Sequence, residues 1–70
     1  MKLYINGEER EFSAPVSIEV LMGQLGIDPR KVAVERNLEI VPKSTYAQVT
    51  VADGDRLEIV HFIGGGNVYE

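Results

Sequence analysis

The sequence predicts a two-layer α+β domain, one mixed sheet of four to five strands packed on one main helix. Three observations carry this. Segments near both ends alternate apolar and polar residues with period two, the mark of half-buried strands. A segment between them places Ile18, Leu21, Met22 and Leu25 at i, i+3, i+4 and i+7, one helical stripe. A helix with a single apolar stripe covers one face of one sheet.

In chain order, Met1, Leu3 and Ile5 alternate with Lys2, Tyr4 and Asn6 in a first strand. Asn6 and Gly7 supply the positive φ values of a tight hairpin turn, and the chain returns from Glu9 to Phe12. Ser17 is placed as helix N-cap, with Val16 and Leu21 at the positions of a hydrophobic staple. Gly26 ends the helix and Pro29 prevents its resumption. Gly23 inside the helix is a local fault. Val32 and Val34 mark a third strand, broken at Asn37. Ile40, Val41 and Pro42 form a short extended piece, which the proline places at an edge or a strand end. Ser44 to Tyr46 reads as one helical turn and Gln48 to Val51 as a weak strand. After a turn at Asp53, Gly54 and Asp55 comes the strongest strand, Arg56 to Ile63. It is expected centrally, parallel to the first. Residues 1–63 are read as the domain and residues 64–70 as a flexible tail.

Composition narrows the function. A 70-residue domain buries only about 60% of its unfolded surface. That leaves no room for a deep cleft beside a core, so the chain is read as not an enzyme. It has no Cys and one His, which excludes a thiolate nucleophile and the usual zinc sites. A formal net charge of −4 argues against nucleic acid and suits a partner with a basic docking surface. The first residues lack the apolar stretch of a signal peptide. No apolar run approaches the roughly 18 residues of a membrane span, and the chain reads as cytoplasmic. No metal site and no bound cofactor are expected.

Gly64, Gly65 and Gly66 follow the last strand. Without Cβ atoms they can thread a narrow channel, and a glycine ending a chain presents an unhindered carboxylate. Such a group can attack the α-phosphate of ATP in a partner enzyme, with no catalytic side chain of the carrier's own. The plainer reading is a frayed end. Asp53, Asp55 and Glu58 are read as turn chemistry and a solvated face, and His61 as a space-filling sheet residue with one hydrogen bond.

Val34-Glu35-Arg36-Asn37, then Glu39-Ile40, Lys43, Tyr46 and Asp55, and finally Glu58-Ile59-Val60-His61-Phe62-Ile63-Gly64-Gly65-Gly66 follow in an order and spacing that resembles the ThiS family of thiamine-biosynthesis sulfur carriers. The resemblance covers residues 1–66. It implies a ubiquitin-like β-grasp fold and a sulfur-attachment site at Gly66, adenylated and then thiocarboxylated, with Gly64 and Gly65 as its tail. It also implies activation by an E1-like adenylating enzyme using ATP. Sulfur would come from a cysteine desulfurase or other donor and be delivered to thiazole synthase. This chain departs from the pattern by four residues beyond Gly66, which implies a tail-trimming peptidase or a form that does not use thiocarboxylate chemistry. A related carrier for methionine, cysteine or molybdopterin synthesis, or a non-catalytic β-grasp binding module, is the alternative.

If Leu57 and Ile59 face the helix, Val60 and Phe62 face the open side of the sheet. Large apolar groups there would form a docking patch beside the tail, and Ile63 is read as a further docking residue. The competing reading is a second small core, with the loop of residues 38–47 covering Val60 and Phe62.

Overall fold

The computed structural model describes the backbone of residues 1–63 and 67–69, and the side chains of residues 1–61. β1 (Lys2–Ile5) and β2 (Glu8–Glu11) form an antiparallel hairpin. Asn6 and Gly7 close it with φ of 50° and 83°, the left-handed pair that matches the twist of the flanking strands.

The chain then enters α1 (Ile18–Gln24). Its first-turn N–H groups, which a helix cannot satisfy itself, all find acceptors. The Ser17 hydroxyl takes Val20 N–H at 3.2 Å, and the carbonyls of Val49 and Tyr46 take Ile18 and Glu19 N–H at 2.9 and 3.0 Å. At the other end Gly26 is left-handed at φ 72°. Ile27 N–H reaches back to the Met22 carbonyl at 2.8 Å, and Gly26 N–H to that of Gly23 at 3.1 Å. These two bonds make a Schellman motif.

A 3₁₀ turn (Pro29–Lys31) leads into β3 (Val32–Arg36), which turns back as the edge strand β4 (Glu39–Val41). A second 3₁₀ turn (Lys43–Thr45) follows, then β5 (Arg56–Ile63) and the short β6 (Asn67–Tyr69). The sheet runs β2-β1-β5-β3-β4, with β6 pairing β5. β5 is central and parallel to β1, as the sequence predicts.

Ile18, Leu21 and Met22 of the helix are buried with Leu3, Ile5, Val34, Leu57 and Ile59 of the sheet, and Leu25 packs against them half-buried. Val41, Tyr46 and Val51 join this same core, so the segment between β4 and β5 packs on the helix side and builds no second core. Two bonds tie that segment down: the Tyr46 hydroxyl to the Val32 carbonyl at 3.2 Å and Lys43 Nζ to the Arg30 carbonyl at 2.8 Å. The weak strand expected from Gln48 to Val51 reduces to one bridge between Ser17 and Thr50. Its neighbouring carbonyls are committed to the helix N-terminus, and Val51 N–H donates to Val16. No helix among the described residues is long and apolar enough to cross a membrane.

Two positions run against local propensity. Gly23 sits inside α1 although a methyl group added there would meet no atom within 4 Å. Leu38, 92% exposed, holds φ of 70° at the tip of the β3–β4 hairpin, a conformation that side chains with a Cβ disfavour. In urea unfolding, Gly23→Ala is expected to raise stability by roughly 0.5–1 kcal/mol, and Leu38→Gly by about 1 kcal/mol. Leu21→Ala, which empties the core, is expected to cost roughly 2–5 kcal/mol. A neutral Leu21→Ala would mean that the helix does not pack as described.

Candidate functional site

The predicted site lies at and beyond the end of β5, so what holds β5 decides what the site can do. At its start sits Asp55, the one charged residue that is buried among those described, at 7% exposure. Its carboxylate accepts from Arg36 Nε at 2.7 Å, Asn37 Nδ2 at 3.0 Å and Ala52 N–H at 2.8 Å. Asn37 also clamps the next residue: its side-chain oxygen accepts from Arg56 N–H at 2.9 Å, and its own N–H donates to the Arg56 carbonyl at 2.8 Å. Burial opposes ionisation of Asp55. The Ala52, Asn37 and Arg36 hydrogen bonds and the Arg36 charge outweigh it, and hold the carboxyl below its ordinary value.

The turn-and-solvated-face reading of Asp53, Asp55 and Glu58 therefore holds for two of the three. Glu58 is exposed, and Asp53 is exposed and accepts Lys2 N–H at 2.7 Å. Asp55 is a structural hub. The signal available in the sequence was a strand ending in Arg36 and Asn37 together with an acid immediately after a glycine turn.

On its β3 side β5 is paired over five registers, Val32↔His61 to Arg36↔Leu57. On its β1 side two registers, Tyr4↔Arg56 and Ile5↔Leu57, are followed by a side-chain substitute for a strand. The Asn6 carboxamide accepts Ile59 N–H at 2.7 Å and donates to the Ile59 carbonyl at 3.2 Å. β5 is thus a fixed strand whose far end runs past β1.

The sheet face away from the helix is open. Cross-strand partners share a face, which puts Tyr4 with Arg56, Glu35 with Glu58, and Ala33 with Val60. The Arg56 guanidinium stacks 4.5 Å above the Tyr4 ring centre. Glu35 and Glu58 stand opposite each other, an arrangement that repels. Val60 is half-buried against this surface and Ile40, on the edge, is 75% exposed.

Of the expected docking residues, Val60 lies on the open face. Phe62 and Ile63 are placed by backbone only, opposite Val68 and Asn67 of β6. The expected attachment residue Gly66, with Gly64 and Gly65, lies outside the described residues, as does Glu70. The flexibility expected of residues 64–70 is likewise untested for those four, while Asn67–Tyr69 form β6. His61 is exposed and makes no side-chain hydrogen bond among the described residues. It borders a groove of about 280 Å³ with Leu25, Ile27 and Ile59, because β5 outruns the helix that would cover it.

The chain matches the ThiS family over residues 3–66. It is 75% identical over 67 residues to a thiazole synthase of Paramagnetospirillum magneticum, covering 96% of this chain and 21% of that protein. It is 38% identical over 65 residues to the sulfur carrier protein ThiS of Bacillus subtilis, covering 91% of this chain and 98% of that one. The chain thus spans about a fifth of the length of the thiazole synthase and nearly all of the carrier. The crystal structure of the thiamine biosynthesis protein ThiS from Geobacter metallireducens superimposes with a TM-score of 0.83 at 30% identity, over 94% of this chain and 100% of that one.

Asp55→Ala is expected to cost roughly 2–4 kcal/mol, below the full penalty for breaking a buried pair because Arg36 keeps partial access to water. A carboxyl whose folded pKa is depressed stabilises above its unfolded value, near 3.8, and loses that contribution as pH falls through the folded value. Unfolding midpoints of the unaltered chain should drop on acidification below about pH 4. Asp55→Asn should drop less steeply from a lower start, and parallel profiles would remove Asp55 from the hub.

Proposed function

The chain belongs to the ThiS family of ubiquitin-like β-grasp proteins, and on that premise we infer that it carries sulfur for thiazole formation in thiamine biosynthesis. The observation that carries the reading is the extent of the family match, which runs through the body and ends on Gly66. The fold supports it. A β5 clamped at its start by Asp55 and along both edges is a rigid base from which a glycine tail can project.

In this reading Gly66 acts once it ends the chain. Its carboxylate oxygen bonds the α-phosphorus of ATP inside an E1-like adenylating enzyme, and pyrophosphate leaves. Sulfur from a cysteine desulfurase or other donor then displaces AMP: the outer sulfur of a donor persulfide bonds the glycine carbonyl carbon as an acyl disulfide. A thiol attacks the inner sulfur, breaking the S–S bond to leave the thiocarboxylate and a disulfide between that thiol and the donor. The carrier binds no cofactor, and ATP belongs to the partner. Thiazole synthase is the acceptor, a choice supported by two relatives of that name, 75% and 47% identical to this chain. They favour the thiazole pathway over carriers for methionine, cysteine or molybdopterin.

Docking falls to Val60 on the open face and to Phe62 and Ile63, which lead into the tail. The opposed Glu35 and Glu58 next to Val60 would be relieved by a basic partner, which agrees with the net charge of −4. Phe62→Asp is expected to weaken binding to the adenylating enzyme while the unfolding midpoint holds. Unchanged affinity would move the patch elsewhere.

Gly66 is followed by residues 67–70, and an internal glycine carbonyl is an amide with nothing to adenylate. Removal by a peptidase is therefore part of the reading. ATP–pyrophosphate exchange with the adenylating enzyme is expected from a chain ending at Gly66 and absent with the 70-residue chain. Equal exchange by both would refute this account of the tail. Exchange by neither would hand the case to a non-catalytic binding module.

A further inference from the structure

The β1-side edge of β5 meets three partners in turn. The Asp55 and Leu57 carbonyls accept from Tyr4 and Asn6 N–H at 3.0 and 2.9 Å. β1 then ends, and the Asn6 carboxamide takes both backbone groups of Ile59. Successive strand residues present their backbone groups to alternate edges, so His61 and Ile63 face the same edge as Leu57 and Ile59. At His61 the opposite edge already belongs to Val32. What meets His61 and Ile63 is β6, with Tyr69 opposite His61 and Asn67 opposite Ile63.

We propose that residues 67–69 are a latch, a strand that the chain lays on its own β5 and must release before its tail can reach into a partner. The purpose rests on the carrier reading; the geometry does not. Asn67 lies level with Ile63, so the latched chain reaches it without gaining any distance from the body. Fully extended, three residues beyond Ile63 span about 10 Å at roughly 3.4 Å each, and pairing of β6 forbids that reach. Val68 and Tyr69 are strand formers, and their pairing covers a sheet edge that would otherwise recruit foreign strands. The latch thus holds the carrier in a closed, edge-protected form, and peeling it away both frees the tail and opens the edge.

Amide hydrogen exchange on the full chain tests this. Tyr69 N–H faces β5 because Tyr69 pairs with His61, whereas Val68 N–H faces away. Tyr69→Pro removes a ladder donor, and Val68→Pro removes one that the ladder does not use. In the unaltered chain and in Val68→Pro, the His61 and Ile63 amides should exchange about tenfold or more slowly than in Tyr69→Pro. The Ile59 amide, held by Asn6, should be equally slow in all three and reports that the body is intact. Rapid exchange at His61 and Ile63 in the unaltered chain, or equal rates in the two proline variants, would overturn the latch. Neither result depends on ATP chemistry, so failure of the carrier reading shows in pyrophosphate exchange and failure of the latch shows here.

Discussion

The fold turns on one carboxylate. Asp55 joins the end of β3, the loop before β5 and the start of β5 itself, and its partners Arg36 and Asn37 lie 19 and 18 residues away in sequence. A buried charge with three donors is stable only while all of them stay in place, because each lost partner leaves an ion in a poorly solvated site. That requirement fixes where β5 begins relative to β3, and so sets every cross-strand pair that follows. A slip of one residue would carry Leu57 and Ile59 from the core to the open face.

From that origin, the rest of β5 is positioned by devices on its two edges. β3 supplies a backbone ladder over five registers. β1 supplies two registers and then a side chain, since the left-handed turn at Asn6 would otherwise leave Ile59 unpaired. Asn serves both needs. It tolerates positive φ better than most residues, and its carboxamide carries the donor and the acceptor of a peptide group. The hairpin turn and the support of the central strand are therefore the work of a single residue.

This explains what the sequence could and could not disclose. Periodicity exposed the strands, the helix and most of the core, because Leu3, Ile5, Ile18, Leu21, Met22, Leu57 and Ile59 repeat at spacings set by local geometry. The central, parallel placement of β5 was legible for the same reason. The polar architecture was not. Apart from the Ala52 N–H three residues before it, Asp55, like Asn6, acts through partners 18 to 53 residues away, and no local pattern distinguishes a buried aspartate from one in a solvated turn. The stretch from Gln48 to Val51 failed for a related reason: its β-branched residues suit a strand, but its Val49 carbonyl serves the helix N-terminus. Of the candidate site, the open-face position of Val60 was readable, while Gly64, Gly65 and Gly66 lie outside the described residues. The opposed Glu35 and Glu58 emerge only once the register is known.

On the carrier reading, the body contributes no group to the chemistry, and its rigidity becomes the functional property. A tail delivered into a partner's channel has to arrive with its carboxylate at a defined depth, and depth is set by where the body stops. Looseness at the base of the tail would spread that position. A misplacement on the order of 1 Å can cost about 10²-fold in rate. The clamp at Asp55, the full β3 ladder and the Asn6 carboxamide all act on β5, and none acts beyond Ile59 on the β1 side. The strand is therefore held on both edges for most of its length, and from His61 onward its β1-side edge depends on β6.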